Sequence, residues 1–148
     1  MQIKAVLYQQ CVDYANHRLA TIEKTISSHQ EALSSETKSS AGDKHETGRA
    51  MLQLEMEKAG QQLASIQQMK ETLARVDITK SSLIRLGSLV ETNLGTYFIS
   101  ISAGQLAVAG NNFFAISVSS PLGQLLLGKK EGDRLLFNEK EIIVNSIK

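Results

Sequence analysis

Ser39-Ser40-Ala41-Gly42-Asp43-Lys44-His45-Glu46 decides the fold, because one helical apolar repeat ends before it and a second begins after it. Upstream, Tyr8, Cys11, Ala15, Leu19, Ile22, Ile26, His29 and Leu33 follow one another at spacings of three and four. Downstream, Leu52, Met56, Ala59, Leu63, Ile66, Met69 or Lys70, and Leu73 do the same. Such a repeat draws a stripe along one side of a helix, and two stripes of matching length stabilise each other. Ser34 to Gly48, rich in Ser, Thr and Gly, breaks the period and is expected to reverse the chain. The expectation is an antiparallel coiled-coil helical hairpin over 1–76 with an acidic tip at 39–48. An arm of about 28 residues at ~1.5 Å per residue extends roughly 40 Å. A charged tip on so long an arm is suited to reaching into something deep.

From about Ile78 the texture changes. Leu83 to Glu91, Thr96 to Ser102, Gln105 to Ala109 and Phe113 to Ser119 read as short strands punctuated by Gly and Asn. Pro121 to Leu127 reads as one short helix, with Ser120 its N-cap and Gly128 just beyond its end. Leu125 and Leu126 are expected in the core, and Phe113-Phe114 as one ring inward and one outward. Leu135-Leu136-Phe137 and Glu141 to Ile147 form a hairpin around Asn138-Glu139-Lys140. The fold class is α+β: the helical hairpin, then a small, mostly antiparallel sheet domain over 77–148 with one short helix.

Composition narrows the functional classes. Sixteen basic residues against fifteen acidic ones leave the chain near neutral, so bulk charge announces neither a nucleic-acid binder nor a membrane-surface protein. The lone cysteine, Cys11, excludes an intramolecular disulfide framework, and its place on the apolar stripe gives it a packing role. Neither a signal-peptide core nor an apolar run near the ~20 residues of a membrane helix is present. A soluble cytoplasmic protein is the expectation.

The run Ser119-Ser120-Pro121-Leu122-Gly123-Gln124-Leu125-Leu126-Leu127-Gly128-Lys129-Lys130-Glu131-Gly132-Asp133 resembles the signature of the Gre-type transcript cleavage factors of bacteria. In them a Ser-Pro, a short apolar helix, Gly-Lys and an acidic pair lead into the closing hairpin of an FKBP-like domain. Asp77-Ile78-Thr79-Lys80 and Ile84-Arg85-Leu86-Gly87-Ser88-Leu89-Val90 are similar to the start of that domain. Gly42-Asp43-Lys44-His45-Glu46 has the spacing of the family's Gly-Asp-x-x-Glu tip, and the chain continues Thr47-Gly48-Arg49-Ala50 where the family has Asn-Ala-Glu-Tyr.

The resemblance implies a factor that binds RNA polymerase and inserts its hairpin in the secondary channel. Nascent RNA and DNA would be met only through that complex. By the match, Asp43 and Glu46 are the catalytic and metal-directed residues, helping to hold a Mg²⁺ shared with the polymerase and to orient the attacking water. Mg²⁺ prefers hard oxygen ligands, which two carboxylates supply. No cofactor of the chain's own is implied, and the cleavage belongs to the polymerase, so the chain is an accessory factor. Ser119, Ser120, Pro121 and Leu122 match the positions that contact the rim of the channel.

Each feature has a plainer reading as well. Asp43-x-x-Glu46 ahead of an apolar helix is close to a capping box, with Asp43 as N-cap. His45 reads as a solvated side chain, and Ser120-Pro121 starts a helix whatever it touches. A channel-binding modulator that does not cleave is the nearest alternative. A peptidyl-prolyl isomerase or chaperone, suggested by the sheet, lacks Trp and has few aromatics to line a proline pocket. A coiled-coil adaptor explains the arms but not Ser119 to Asp133.

Overall fold

The computed structural model describes residues 2–38 and 42–148, with side chains outside 36–46. Helix α1 spans Ile3–Lys38 and α2 spans Gly42–Ala74. Both are longer than the sequence indicated, because Ser34 to Lys38 and Gly42 to Gly48 are helical and not part of a broad turn. Ser and Thr are only mildly disfavoured within helices, and adding a residue to a formed helix costs far less than starting one. Two long arms therefore carry the helix through a locally weak stretch. Ser39, Ser40 and Ala41, the centre of the expected turn, lie outside the described residues.

Contacts divide the chain into two compact units, Ala15–Met69 and a second made of Met1–Tyr14 with Lys70–Lys148. In the first, buried Ile22, Ala59 and Ile66 form one cluster, flanked by Leu19, Ile26 and Leu63. Both stripes contribute, so the seam lies within a single chain, and early residues of α1 face late residues of α2. In the second unit Leu7, Cys11 and Leu73 are buried, and the Tyr8 hydroxyl donates to the Leu73 carbonyl at 3.1 Å. Leu7 is the apolar anchor here, whereas Tyr8 sits half-buried at the edge of the stripe.

Six strands follow: β1 Leu89–Thr92, β2 Thr96–Ser100, β3 Gly104–Val108, β4 Asn111–Ser117, β5 Arg134–Phe137 and β6 Lys140–Ile147. One helix, α3 Pro121–Leu126, interrupts them. The sheet order is β3-β4-β2-β1-β6-β5. All neighbours are antiparallel except β2 and β4, which run parallel with Phe98 beside Ala115 and Ile99 beside Ile116. The sheet is thus mostly antiparallel, as expected, with one parallel pair that makes it mixed. β4 leaves its hairpin with β3 and inserts beside β2, so β3 becomes an edge.

Alternation along β2 buries both faces of the sheet. Ile99, with Tyr97 behind it, joins Ile84, Val90, Leu126, Val144 and Ile147 in a core covered by α3. Phe98 and Ser100 point to the opposite face, where the Cys11 thiol lies 3.5 Å from the Ser100 hydroxyl. Gln10 Nε2 donates to the Ala107 carbonyl of edge strand β3 at 3.0 Å, satisfying a backbone group an edge would otherwise leave open. Cys11 is fully buried, and that burial raises its thiol pKa, which fits the packing role.

The expected strand Leu83 to Glu91 begins only at Leu89. Leu83 makes a single bridge to Lys130, and Ile84 to Ser88 fold into a turn in which Gly87 has φ +101°. Among the described residues no helix is long and apolar enough to cross a membrane.

Candidate functional site

Asp43 and Glu46 occupy the start of α2, which begins at Gly42. Asp43 is the second residue of that helix, and the side-chain bonds of the expected capping box lie outside the described residues. Positions three apart on a helix share a face, separated by ~4.5 Å along the axis. The helix dipole also favours negative charge at this end. Their side chains, with those of Lys44 and His45, lie outside the described residues. Among the described residues no group of three or more His, Cys, Asp or Glu is placed to hold a metal ion.

The segment Ser119 to Leu122 is built by its own hydrogen bonds. The Ser117 hydroxyl accepts from the Ser119 amide at 3.0 Å, and the Ser120 hydroxyl donates to the Ser117 carbonyl at 2.7 Å. As N-cap of α3, Ser120 also accepts from the Gly123 amide at 3.1 Å. Pro121 follows, where its fixed φ suits the first turn and its missing N–H costs nothing. Gln124 Nε2 braces the loop from the other side by donating to the Val118 carbonyl at 2.7 Å. Beyond the end, Gly128 takes φ +80°, as the helix-stop reading required.

This architecture sorts the four partner positions. Ser119 and Pro121 are exposed, Ser120 spends its hydroxyl on the cap, and Leu122 packs against the core. Leu126 is fully buried, but Leu125 is 39% exposed and is removed from the core. On a six-residue helix Leu122, Gly123 and Leu126 share the inward side, and Leu125 lies about 100° away from Leu126. Phe113 is inward and Phe114 outward, as expected. The exposed Phe114 ring stands 6.0 Å from that of Tyr97.

Sequence reasoning singled out the junction Asp77 to Lys80 but not the clasp it forms. One Asp77 carboxylate oxygen accepts from the Thr79 hydroxyl at 2.6 Å and from its amide at 2.9 Å. Arg85 Nη2 donates to the Thr79 carbonyl and hydroxyl at 3.1 and 2.6 Å, and lies 3.3 Å from the other Asp77 oxygen. The Thr79 bonds first, and the Arg85 charge after them, hold the Asp77 carboxyl below its ordinary pKa. A depressed folded-state pKa contributes stability that is complete above the unfolded value and is lost as pH falls through the folded one. Unfolding midpoints are therefore expected to fall on acidification below about pH 4. Asp77→Asn should flatten that part of the profile, measured by thermal unfolding from neutral pH downward. A parallel profile would remove Asp77 from the acid response.

No protein-family model and no curated protein matches the sequence. Among solved structures, the crystal structure of GreA factor homolog 1 of Thermus thermophilus aligns over 95% of this chain and 94% of that chain, at 20% identity and a TM-score of 0.37.

Proposed function

We propose that the chain is an RNA polymerase-binding factor of Gre type. It would enter the secondary channel with its helical hairpin and stimulate cleavage of backtracked RNA by the polymerase's own Mg²⁺-dependent activity. One observation carries the reading. The fifteen-residue run Ser119 to Asp133 resembles the family's signature, and at its start a self-bonded turn into α3 leaves Ser119 and Pro121 exposed for a partner. The tip adds support, because the sequence Gly42-Asp43-x-x-Glu46 has the spacing of the family's acidic tip and falls at the start of α2.

The roles follow from chemistry. Ser119 and Pro121 dock, and the Ser120 cap keeps them in place. Asp43 and Glu46 offer hard oxygen ligands on a single turn, too few to hold Mg²⁺ alone and suited to completing a site that another protein begins. A bound Mg²⁺ supplies Lewis-acid activation of water there. The factor acts where the polymerase is, in the cytoplasm.

The test is transcript cleavage by a stalled, backtracked bacterial polymerase with the wild type beside Asp43→Ala/Glu46→Ala. The wild type is expected to shorten the RNA and the double variant to lose about 10- to 100-fold in rate, the scale for groups that position a catalytic metal. Thr47-Gly48-Arg49-Ala50, which depart from the family's tip, favour one second reading, a modulator that occupies the channel without cleaving. It predicts no shortening by either protein, while both displace a known cleavage factor.

A further inference from the structure

The bridge between Leu83 and Lys130 joins two segments remote in sequence, and the Ile84 amide reinforces it by donating to the Lys129 carbonyl at 2.8 Å. Beside it lies a cavity of about 310 Å³ lined by Lys80, Ser81, Ser82, Lys130, Glu131 and Ile147. Two lysines and two serines thus line one space beside the buried Ile147, together with Glu131. Neither lysine is in an ion pair among the described residues. The acids close by already hold backbone donors. A Glu131 carboxylate oxygen accepts from the Ile147 amide at 3.0 Å, and one of Asp133 accepts from the Lys130 amide at 2.9 Å. The Ser81 hydroxyl oxygen accepts from the Leu83 amide at 3.3 Å, which leaves its proton free to donate.

From this juxtaposition we infer a binding site for a phosphate group, carried by the free ion or by a nucleotide. Lys80 and Lys130 supply charge, and Ser81 and Ser82 donate hydrogen bonds to its oxygens. A phosphate brings between one and two negative charges near neutral pH to match the two ammonium groups, where a carboxylate brings one. The inference is independent of the polymerase reading.

The test is titration of the isotope-labelled full chain with inorganic phosphate, AMP and adenosine at constant ionic strength in chloride, followed by amide chemical shifts. Saturable shifts at Lys80 to Leu83 and at Lys130 and Glu131 are expected with phosphate and AMP. Lys80→Met/Lys130→Met should weaken them by roughly tenfold or more, the scale for lost charge-assisted bonds. Lys140→Met, outside the cavity, should leave them unchanged. Tighter binding of AMP than of phosphate assigns the site to a nucleotide, and equal binding to the free ion. Three results overturn the site: shifts that never saturate, shifts that survive the double variant, or adenosine moving the same amides as AMP.

Discussion

Gly87→Ala is expected to cost about 4 kcal/mol of folding stability. Two penalties coincide at this residue. Its φ of +101° is one that side chains avoid, and a Cβ there would overlap the Asp77 carbonyl oxygen and lie 2.7 Å from the carbonyl carbon. The obstacle is backbone, held by the Asp77–Thr79–Arg85 clasp, so no flexible chain end can swing away. Gly87 cannot shift readily either, since its amide donates to the Ile99 carbonyl at 2.8 Å. Gly110 provides the control. Its φ of +81° carries a similar conformational penalty, yet nothing stands within 4 Å of an added Cβ. Gly110→Ala should cost only about 1 kcal/mol. Urea unfolding of the two variants separates conformational strain from overlap, and equal losses would mean that Asp77 yields.

Gly123→Ala should reverse the usual sign of a glycine-to-alanine change in a helix. Alanine normally gains up to about 1 kcal/mol over glycine within a helix. Here a Cβ would overlap the Ser117 carbonyl oxygen and sit 3.0 Å from the Ser120 hydroxyl. That hydroxyl and that carbonyl are the two partners that fold the loop onto α3. We expect a loss of about 3 kcal/mol, together with displacement of Ser119 and Pro121. Thermal unfolding and competition for polymerase against a known cleavage factor would measure both effects. Leu125→Ala, at an exposed position, should leave stability within about 0.5 kcal/mol of the wild type. If Gly123→Ala proved as stable as the wild type, the loop would be free to relax and α3 would not be its seat.

These two glycines mark the limit of sequence reading. The arms were legible because a spacing of three and four repeats many times, so that one error, Tyr8 for Leu7, leaves the pattern intact. α3 was legible from Ser120, Pro121 and Gly128, each suited to one place in a helix. The same cues did not reveal that Leu125 faces outward, because a run of three leucines has no period to read. Leu83 to Ser88 looked like a strand from composition, but Gly87 turns there against Asp77, ten residues earlier, and tertiary contact overrides a weak β preference. The clasp was invisible for the same reason, since no motif joins Asp77 to Arg85. The parallel pairing of β2 with β4 was hidden too, because each strand's alternation is the same whichever way its neighbour runs. At the tip, spacing singled out the two acids as candidates, while the extent of the helix depended on propagation from both arms.

The position of β6 bears on how the protein emerges during synthesis. It pairs with β1 in the interior of the sheet, joining Val90 to Ile147, and it alone holds β5. The helices rest on neighbouring turns and can form as soon as they are made, whereas the sheet must wait for its latest-synthesised strand. Until then the apolar sides of β1, β2 and β4 have incomplete cover while the nascent chain is still tethered. A ribosome paused before Lys140 would therefore display finished helices beside an open, sticky sheet, the state in which this chain most needs a chaperone.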